Sequence, residues 1–430
     1  MPRSLRRHAS LLAAALPLLA AACSPRQPDL DSAGRHFVVL GLALGKYDAN
    51  YVDAYYGPDD LRVAADSLAP YLNVPKIRAA AESLLVAIGD SVRPSADTLI
   101  ALRHANLHGQ LVAMIARARF IEGDTLAFAA EAEALFGVTP PALADAHFDS
   151  LLTVLGGVLP GRGALAPRLQ RFRARLVIPE AKLDTVFKRA IAECRTRTLA
   201  RVALPAAEAF DLEYVKGTSW NAYNWYKGNY RSLIQVNTDF PTPIERALDL
   251  ACHEGYPGHH VYNALIEETL VNGRGWVEFS LYPLFSPQSL IAEGSANYGV
   301  DLAFPGEERT AFERDSLFPL AGLDPRLAAQ NTQVRMIVEQ LNYARNEVAR
   351  QYLDGALDRA GAEAAMVRYW LSTPEQAAKT VRFIDTYRSY VINYNYGRDL
   401  VRSWVERNSV DDPAARWRAF EALLRAPGMR

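Results

Sequence analysis

The stretch His253-Glu254-Gly255-Tyr256-Pro257-Gly258-His259-His260 constrains this chain more than any other. A His-Glu pair on a helix is the opening half of a zinc site. The usual spacing, His-Glu-x-x-His, puts both imidazoles on one face, four residues apart. Here the fourth residue on is Pro257, which cannot hold a metal. The next histidines lie six and seven residues on. Six residues of an unbroken α-helix turn about 600° and point the side chain away. Seven restore the face but move the side chain about 10 Å along the axis, beyond the reach of one ion. A regular helix therefore cannot close the site, and the local fold must be distorted.

Pro257-Gly258 supplies the distortion. Proline removes a helical hydrogen bond and clashes with the carbonyl four residues back, that of His253. Glycine accepts whatever backbone angle follows. A bulge at Tyr-Pro-Gly brings His259 to the position the second histidine normally holds, with His260 in reserve. The third ligand expected is Glu293, on a separate helix begun by Ser286-Pro287, between apolar neighbours and beside a glycine. Glu254 is the expected base. His104 and His108 also lie four apart, but no glutamate follows His104 and no third ligand is evident. They read as a packed pair.

Half of the 430 residues are hydrophobic, enough for a sizeable core, and the net charge of −1 comes from interspersed acids and bases. No basic stripe marks a nucleic-acid partner. Residues 1–22 read as a signal peptide: Arg3, Arg6 and Arg7, then an apolar run from Leu11 to Ala22, too short to span a bilayer. It ends in Ala20-Ala21-Ala22-Cys23, which resembles a bacterial lipoprotein cleavage box and makes Cys23 the candidate lipidated residue. The expected location is the cell envelope, lipid-anchored to a membrane and facing the periplasm or exterior. An exported protein could join Cys194 and Cys252, but one pair makes no disulfide framework, and buried thiols are the reading preferred.

Residues 23–33 read as a tether, 34–204 as an N-terminal helical region and 205–430 as a catalytic region. The spacing of apolar residues predicts helices over 36–56, 75–89, 96–120, 125–136, 141–155 and 179–200. Alternation over 210–215 and 232–237, with dense aromatics between, predicts a small antiparallel sheet beside the metal-site helix. That helix should start at Thr242-Pro243, with Glu245 completing a capping box. Further helices are expected over 332–353, 362–371, 374–396 and 404–430. The fold class is thus mainly α: a large helical body with a central cleft and a small sheet.

His253-Glu254-x-x-Pro257-Gly258-His259-His260, followed by Glu293-Gly294-x-Ala296-x-Tyr298, resembles the bacterial family called domain of unknown function 885, grouped with gluzincin zinc metallopeptidases. That family often has Trp after Glu-Gly, where this chain has Ser295. It also often has a Pro-Gly-Gln before a late Tyr-x-x-Gly; only Tyr394-x-x-Gly397 is kept here. The resemblance implies gluzincin-type peptidase architecture and chemistry. Zn²⁺ would be held by His253, His259 and Glu293, with Glu254 as base and Tyr394 or Arg398 stabilising the oxyanion. Arg398 could instead hold a peptide carboxylate. The substrate implied is a small peptide. Two alternatives stay open: an inactive lipoprotein scaffold or binding module on that fold, and a hydrolase of a non-peptide amide in the envelope.

Overall fold

Residues 29–91, 97–218, 220–410, 412–426 and 428 are described by a computed structural model of the chain. The signal peptide and Cys23 lie outside them. Seven helices matter for the site: α1 (Leu30–Leu44), α2 (Thr98–Ile121), α3 (Leu183–Leu199), α4 (Ile244–Leu250), α5 (His259–Ile266), α6 (Pro287–Ala303) and α7 (Ile392–Arg407). Five short strands accompany them: β1 (Val52–Tyr55), β2 (Ala209–Val215), β3 (Ala222–Gly228), β4 (Arg231–Asn237) and β5 (Leu281–Pro283).

The tether is shorter than its sequence suggests. The Asp29 side chain accepts the Ser32 N–H and caps α1, so residues 30–33 are helical, with Leu30 and Ala33 buried. Nor does the first helix run to 56. It stops at Leu44, and the β-branched and aromatic residues beyond the turn form β1, paired antiparallel with β5. The helix expected over 332–353 breaks at Asn342. The one expected over 374–396 ends at Tyr387 and passes through a 3-10 turn at Arg388–Val391, where Arg388 has φ +52.

The main sheet is mixed, not antiparallel. Asn229 and Tyr230, both at positive φ, turn β3 tightly back into β4, an antiparallel hairpin. β4 then inserts between β3 and β2 and runs parallel to β2. β4 supplies Ile234 and Val236 to the buried face.

α4 starts at Ile244 without the side-chain cap expected from Thr242. The backbone there is used otherwise: Ile178 N–H donates to Thr242 O at 3.0 Å, and Ile244 N–H to Leu176 O at 2.9 Å. The second bond satisfies a first-turn N–H that a cap would otherwise serve. The inward stripe is as the spacing implies, with Ile244, Leu248 and Ala251 buried.

Two apolar cores form, and neither divides the chain at 204/205. One joins α1, α2 and the helices up to Phe136 to β5 and to residues 348–392. The other joins Phe148–Val202 to α4, α5 and α6 and to the closing segment Val401–Leu424. α6 contributes to both, Leu290 to the first and Ile291 to the second. It is buried along nearly its whole length, so its polar residues, Glu293 among them, sit inside the protein.

Candidate metal centre

α4 does not continue as a regular helix. It passes into a π-helical stretch, Ala251–Gly255, and then leaves helical geometry at Tyr256 (φ −118, ψ 119). The Tyr256–Pro257 bond is cis, and α5 begins at His259. Gly258 N–H donates to Cys252 O at 3.0 Å, folding the turn back on the helix end. A Cβ at 258 would lie 1.8 Å from His253 O, so only glycine fits. The Pro257 ring lies where a Cβ on Gly299 of α6 would be, at 2.9 Å, which seats the turn against α6.

This turn puts His253 and His259 side by side, ring centroids 4.6 Å apart and nearly perpendicular. Glu293 Oε2 from α6 lies 3.4 Å from His253 Nε2 and 3.8 Å from His259 Nε2. Among the described residues this is the group of metal-type side chains that converges, one donor atom from each within 4.8 Å of the others. The side chains are recessed, 13%, 15% and 10% exposed. Cavities of about 280 and 820 Å³ lie elsewhere, lined by none of these three residues.

The donors fit a divalent ion. Tetrahedral ligands at about 2.0–2.1 Å from zinc stand about 3.3–3.5 Å apart, close to the spacings seen. Glu293 Oε2 is buried without a hydrogen-bond partner, a costly state for a carboxylate oxygen. Its sister Oε1 accepts from Tyr390 Oη at 2.9 Å, which fixes the carboxylate and leaves Oε2 for the ion. Burial pushes the His259 pKa down to about 4, and His253 pushes the same way, so His259 keeps its lone pairs at neutral pH. The Glu293 pKa is lowered: burial opposes this, and His253, His259 and Tyr390 outweigh it.

Glu254 is buried beside the cluster but is not one of the converging donors. Its backbone carbonyl accepts from Asn224 Nδ2 at 2.7 Å, which ties the helix to β3. Burial raises its pKa to about 7; Glu293 adds to this, and His253 and Arg246 oppose it.

His260 is not brought to the cluster. It is wholly buried, its Nε2 3.0 Å from Glu208 and its Nδ1 2.9 Å from Ser232 Oγ. Arg398 is not there either: it lies 3.4 Å from Asp399 and 3.7 Å from Glu339, facing the helix Ala328–Leu341. Tyr394 is nearer. Burial and then the Glu293 charge raise its pKa well above the phenol range, and its ring packs 5.7 Å from Tyr390. The histidines at 104 and 108 form a packed pair, with His104 Nε2 at hydrogen-bond distance from the carbonyls of Ile88 and Gly89.

Two features escaped the sequence reading. Tyr390, in the 3-10 turn Arg388–Val391 within a stretch read as continuous helix, donates to Glu293 Oε1. Asp53, on β1, accepts a hydrogen bond from Tyr223 Oη, and its pKa is raised to about 7 by burial, then Glu293, then Glu254. The alternation of Tyr51 to Tyr55 was the available signal for a strand there. The cysteine preference is also corrected: Cys194 and Cys252 are bonded, Cα atoms 5.6 Å apart, the pairing that the sequence allowed but ranked behind buried thiols, and it joins helices 58 residues apart in sequence.

No helix among the described residues is long and apolar enough to cross a membrane. No family model matches the sequence, and no curated protein matches it. The structure is similar to that of a candidate lipoprotein from Colwellia psychrerythraea, with a TM-score of 0.50 and 12% identity, over 85% of this chain and 66% of that one. It also matches a lipoprotein-like protein of unknown function from Shewanella oneidensis (TM-score 0.45, 13% identity, 85% and 78% of the two chains). A crystal structure described as BsuCP matches with a TM-score of 0.45 at 12% identity, over 93% and 88%. At these identities the likeness speaks to the fold, and the Colwellia protein shares this mainly helical architecture.

Proposed function

We propose that this protein is a zinc-dependent hydrolase of the cell envelope, a gluzincin-type metallopeptidase of the domain-of-unknown-function-885 kind. Its substrates are small peptides, and lipid on Cys23 holds it to a membrane. The observation that carries the reading is the convergence of His253, His259 and Glu293 around a buried carboxylate oxygen that has no hydrogen-bond partner among the described residues. Two imidazoles and one carboxylate, with Glu254 alongside but outside the donor set, suit a catalytic rather than a structural site. Structural sites fill all four positions with protein ligands and need no base.

Zinc held by these residues supplies Lewis acidity toward a scissile carbonyl and its attacking water. The chain's own groups do the rest. Glu254 takes the proton of the attacking water and returns it to the leaving amine. Tyr390 holds Glu293 in its ligating orientation. The Tyr394 hydroxyl has no hydrogen-bond partner among the described residues and is free to donate to the developing oxyanion. Arg398 has no role in this scheme.

Elemental analysis tests the reading. Purified wild type should carry about one zinc per chain, lost in His253→Ala and Glu293→Ala. Glu254→Gln should keep the zinc and lose hydrolysis of a peptide library. Metal-free protein, with no recovery of zinc on dialysis, would refute it.

A further inference from the structure

His253 and His259 stand at the two ends of one seven-residue segment, and that segment is anchored on both sides. On the near side, Cys252 is bonded to Cys194 of α3. On the far side, a buried network surrounds Glu208. Its carboxylate takes hydrogen bonds from Tyr256 Oη at 2.5 Å and from Arg195 Nη2 at 2.7 Å, and lies 3.0 Å from His260 Nε2. Arg195 is the residue after Cys194, so one turn of α3 carries both anchors. Ser232 of β4 completes the network at the other nitrogen of His260. Phe210 packs edge-on against the His260 ring and obliquely against Tyr256, each with centroids 5.3 Å apart.

This is an expensive arrangement for stability alone. The Glu208 side chain is 3% exposed and that of His260 is 0% exposed. Taking such groups from water offsets much of what their pairing gains, and apolar residues of similar size commonly serve as well. The network does something apolar packing cannot. Each partner on the 252–260 segment is bound in one direction, which fixes the rotation of the turn as well as its position. His260 immediately follows His259 on the first turn of α5, so fixing the His260 ring sets the direction in which His259 leaves the helix.

We infer that Glu208 and His260 are positioning residues. Together with the Cys194–Cys252 bond they hold His253 and His259 in the metal-binding geometry before a metal arrives. The paired histidines thus divide the work: the first faces the metal centre, the second anchors the turn. The inference rests on the reading of His253, His259 and Glu293 as metal ligands.

The test is zinc affinity of the full-length chain, measured by competition with a chromophoric chelator, alongside the urea midpoint of the metal-free protein. Glu208→Gln and His260→Ala should each weaken zinc binding about ten- to a hundredfold, the range for partners behind a metal ligand. His260→Gln, which keeps an N–H toward Glu208, should recover part of that loss. Joint replacement of Cys194 and Cys252 by alanine should also weaken binding. A merely structural network would lower the urea midpoint and leave zinc affinity unchanged, and that result overturns the inference. A second arm needs no metal. In histidine-labelled metal-free protein, His259 should give one sharp set of ring resonances in wild type and exchange-broadened ones in Glu208→Gln. If wild type binds no zinc, the hydrolase reading fails, and the clamp is judged by this arm alone. Equal line shapes in both proteins refute the clamp.

Discussion

Gly294→Ala is the substitution whose cost can best be worked from the structure. α6 and α7 cross at Gly294 and Gly397 with backbone nearly touching backbone. A Cβ at 294 would lie 2.4 Å from Gly397 O and 2.6 Å from Gly397 C. Real contacts of this kind begin at 3.0–3.4 Å, so the helices must part by 0.6–1.0 Å. Overpacking of this size costs about 1–3 kcal/mol, and alanine recovers about 0.5–1 kcal/mol of helix propensity. The net loss is about 0–2.5 kcal/mol. The site should suffer more than the fold. If α7 moves and carries the 3-10 turn Arg388–Val391 that leads into it, the 2.9 Å bond from Tyr390 to Glu293 stretches to about 3.5–3.9 Å, which is no longer a hydrogen bond. If α6 moves, Glu293 itself leaves by more than the ~0.5 Å that such a site tolerates. Zinc affinity should fall about tenfold or more, since a hydrogen bond to a charged group is worth about 1.5–3 kcal/mol. Gly397→Ala is the control. Its Cβ would meet Leu290 O at 3.0 Å and Leu290 Cδ1 at 3.3 Å, a shift of a few tenths. It should be neutral in both assays. Chelator competition and urea unfolding on the two variants decide the matter. If Gly294→Ala matches Gly397→Ala in both, the close crossing does not set the position of Glu293.

Two further outcomes follow from other parts of the molecule. The Glu208 pKa is lowered from 4.5 to about 2: burial opposes this, and His260, Tyr256 and Arg195 outweigh it. A carboxyl depressed in the folded state stabilises fully above its unfolded pKa and loses that contribution as pH falls through the folded value. The urea-midpoint gap between wild type and Glu208→Gln should therefore be constant above about pH 5 and shrink from about pH 4.5 toward pH 2; a gap unchanged at pH 3 would show that Glu208 is not held by these partners. Cys23→Ala should abolish metabolic labelling with a fatty acid and move the protein out of the membrane fraction, and a variant that still pellets after a salt wash would refute lipid anchoring at Cys23.

The chemistry of the centre is local and could be read from residue types. His-Glu followed by Pro-Gly-His-His excludes a regular helix because 3.6 residues per turn cannot bring those side chains together. The need for a break at 257–258 follows from spacing alone, and Glu293 stands out as the candidate third ligand because it is an acid amid an apolar helix. Helical periodicity likewise marked most of the body, since a buried face leaves a repeat of three and four residues.

Contacts across the fold were not legible, because they depend on where distant segments meet. Choosing between His259 and His260 required Glu208, fifty-two residues from His260 in sequence. The partner of Glu293 Oε1 is Tyr390, ninety-seven residues away, in a 3-10 turn that periodicity reads as continuous helix. The direction of β2 depended on β4 inserting between β2 and β3, which alternation does not encode. In the late Tyr-x-x-Gly, the part played by Gly397 emerged only where α7 met α6, since its missing side chain lets the two backbones approach. Periodicity records which face of an element is buried; it carries no information about which element buries it, and that is what decides the ligands, their orientation and their anchors.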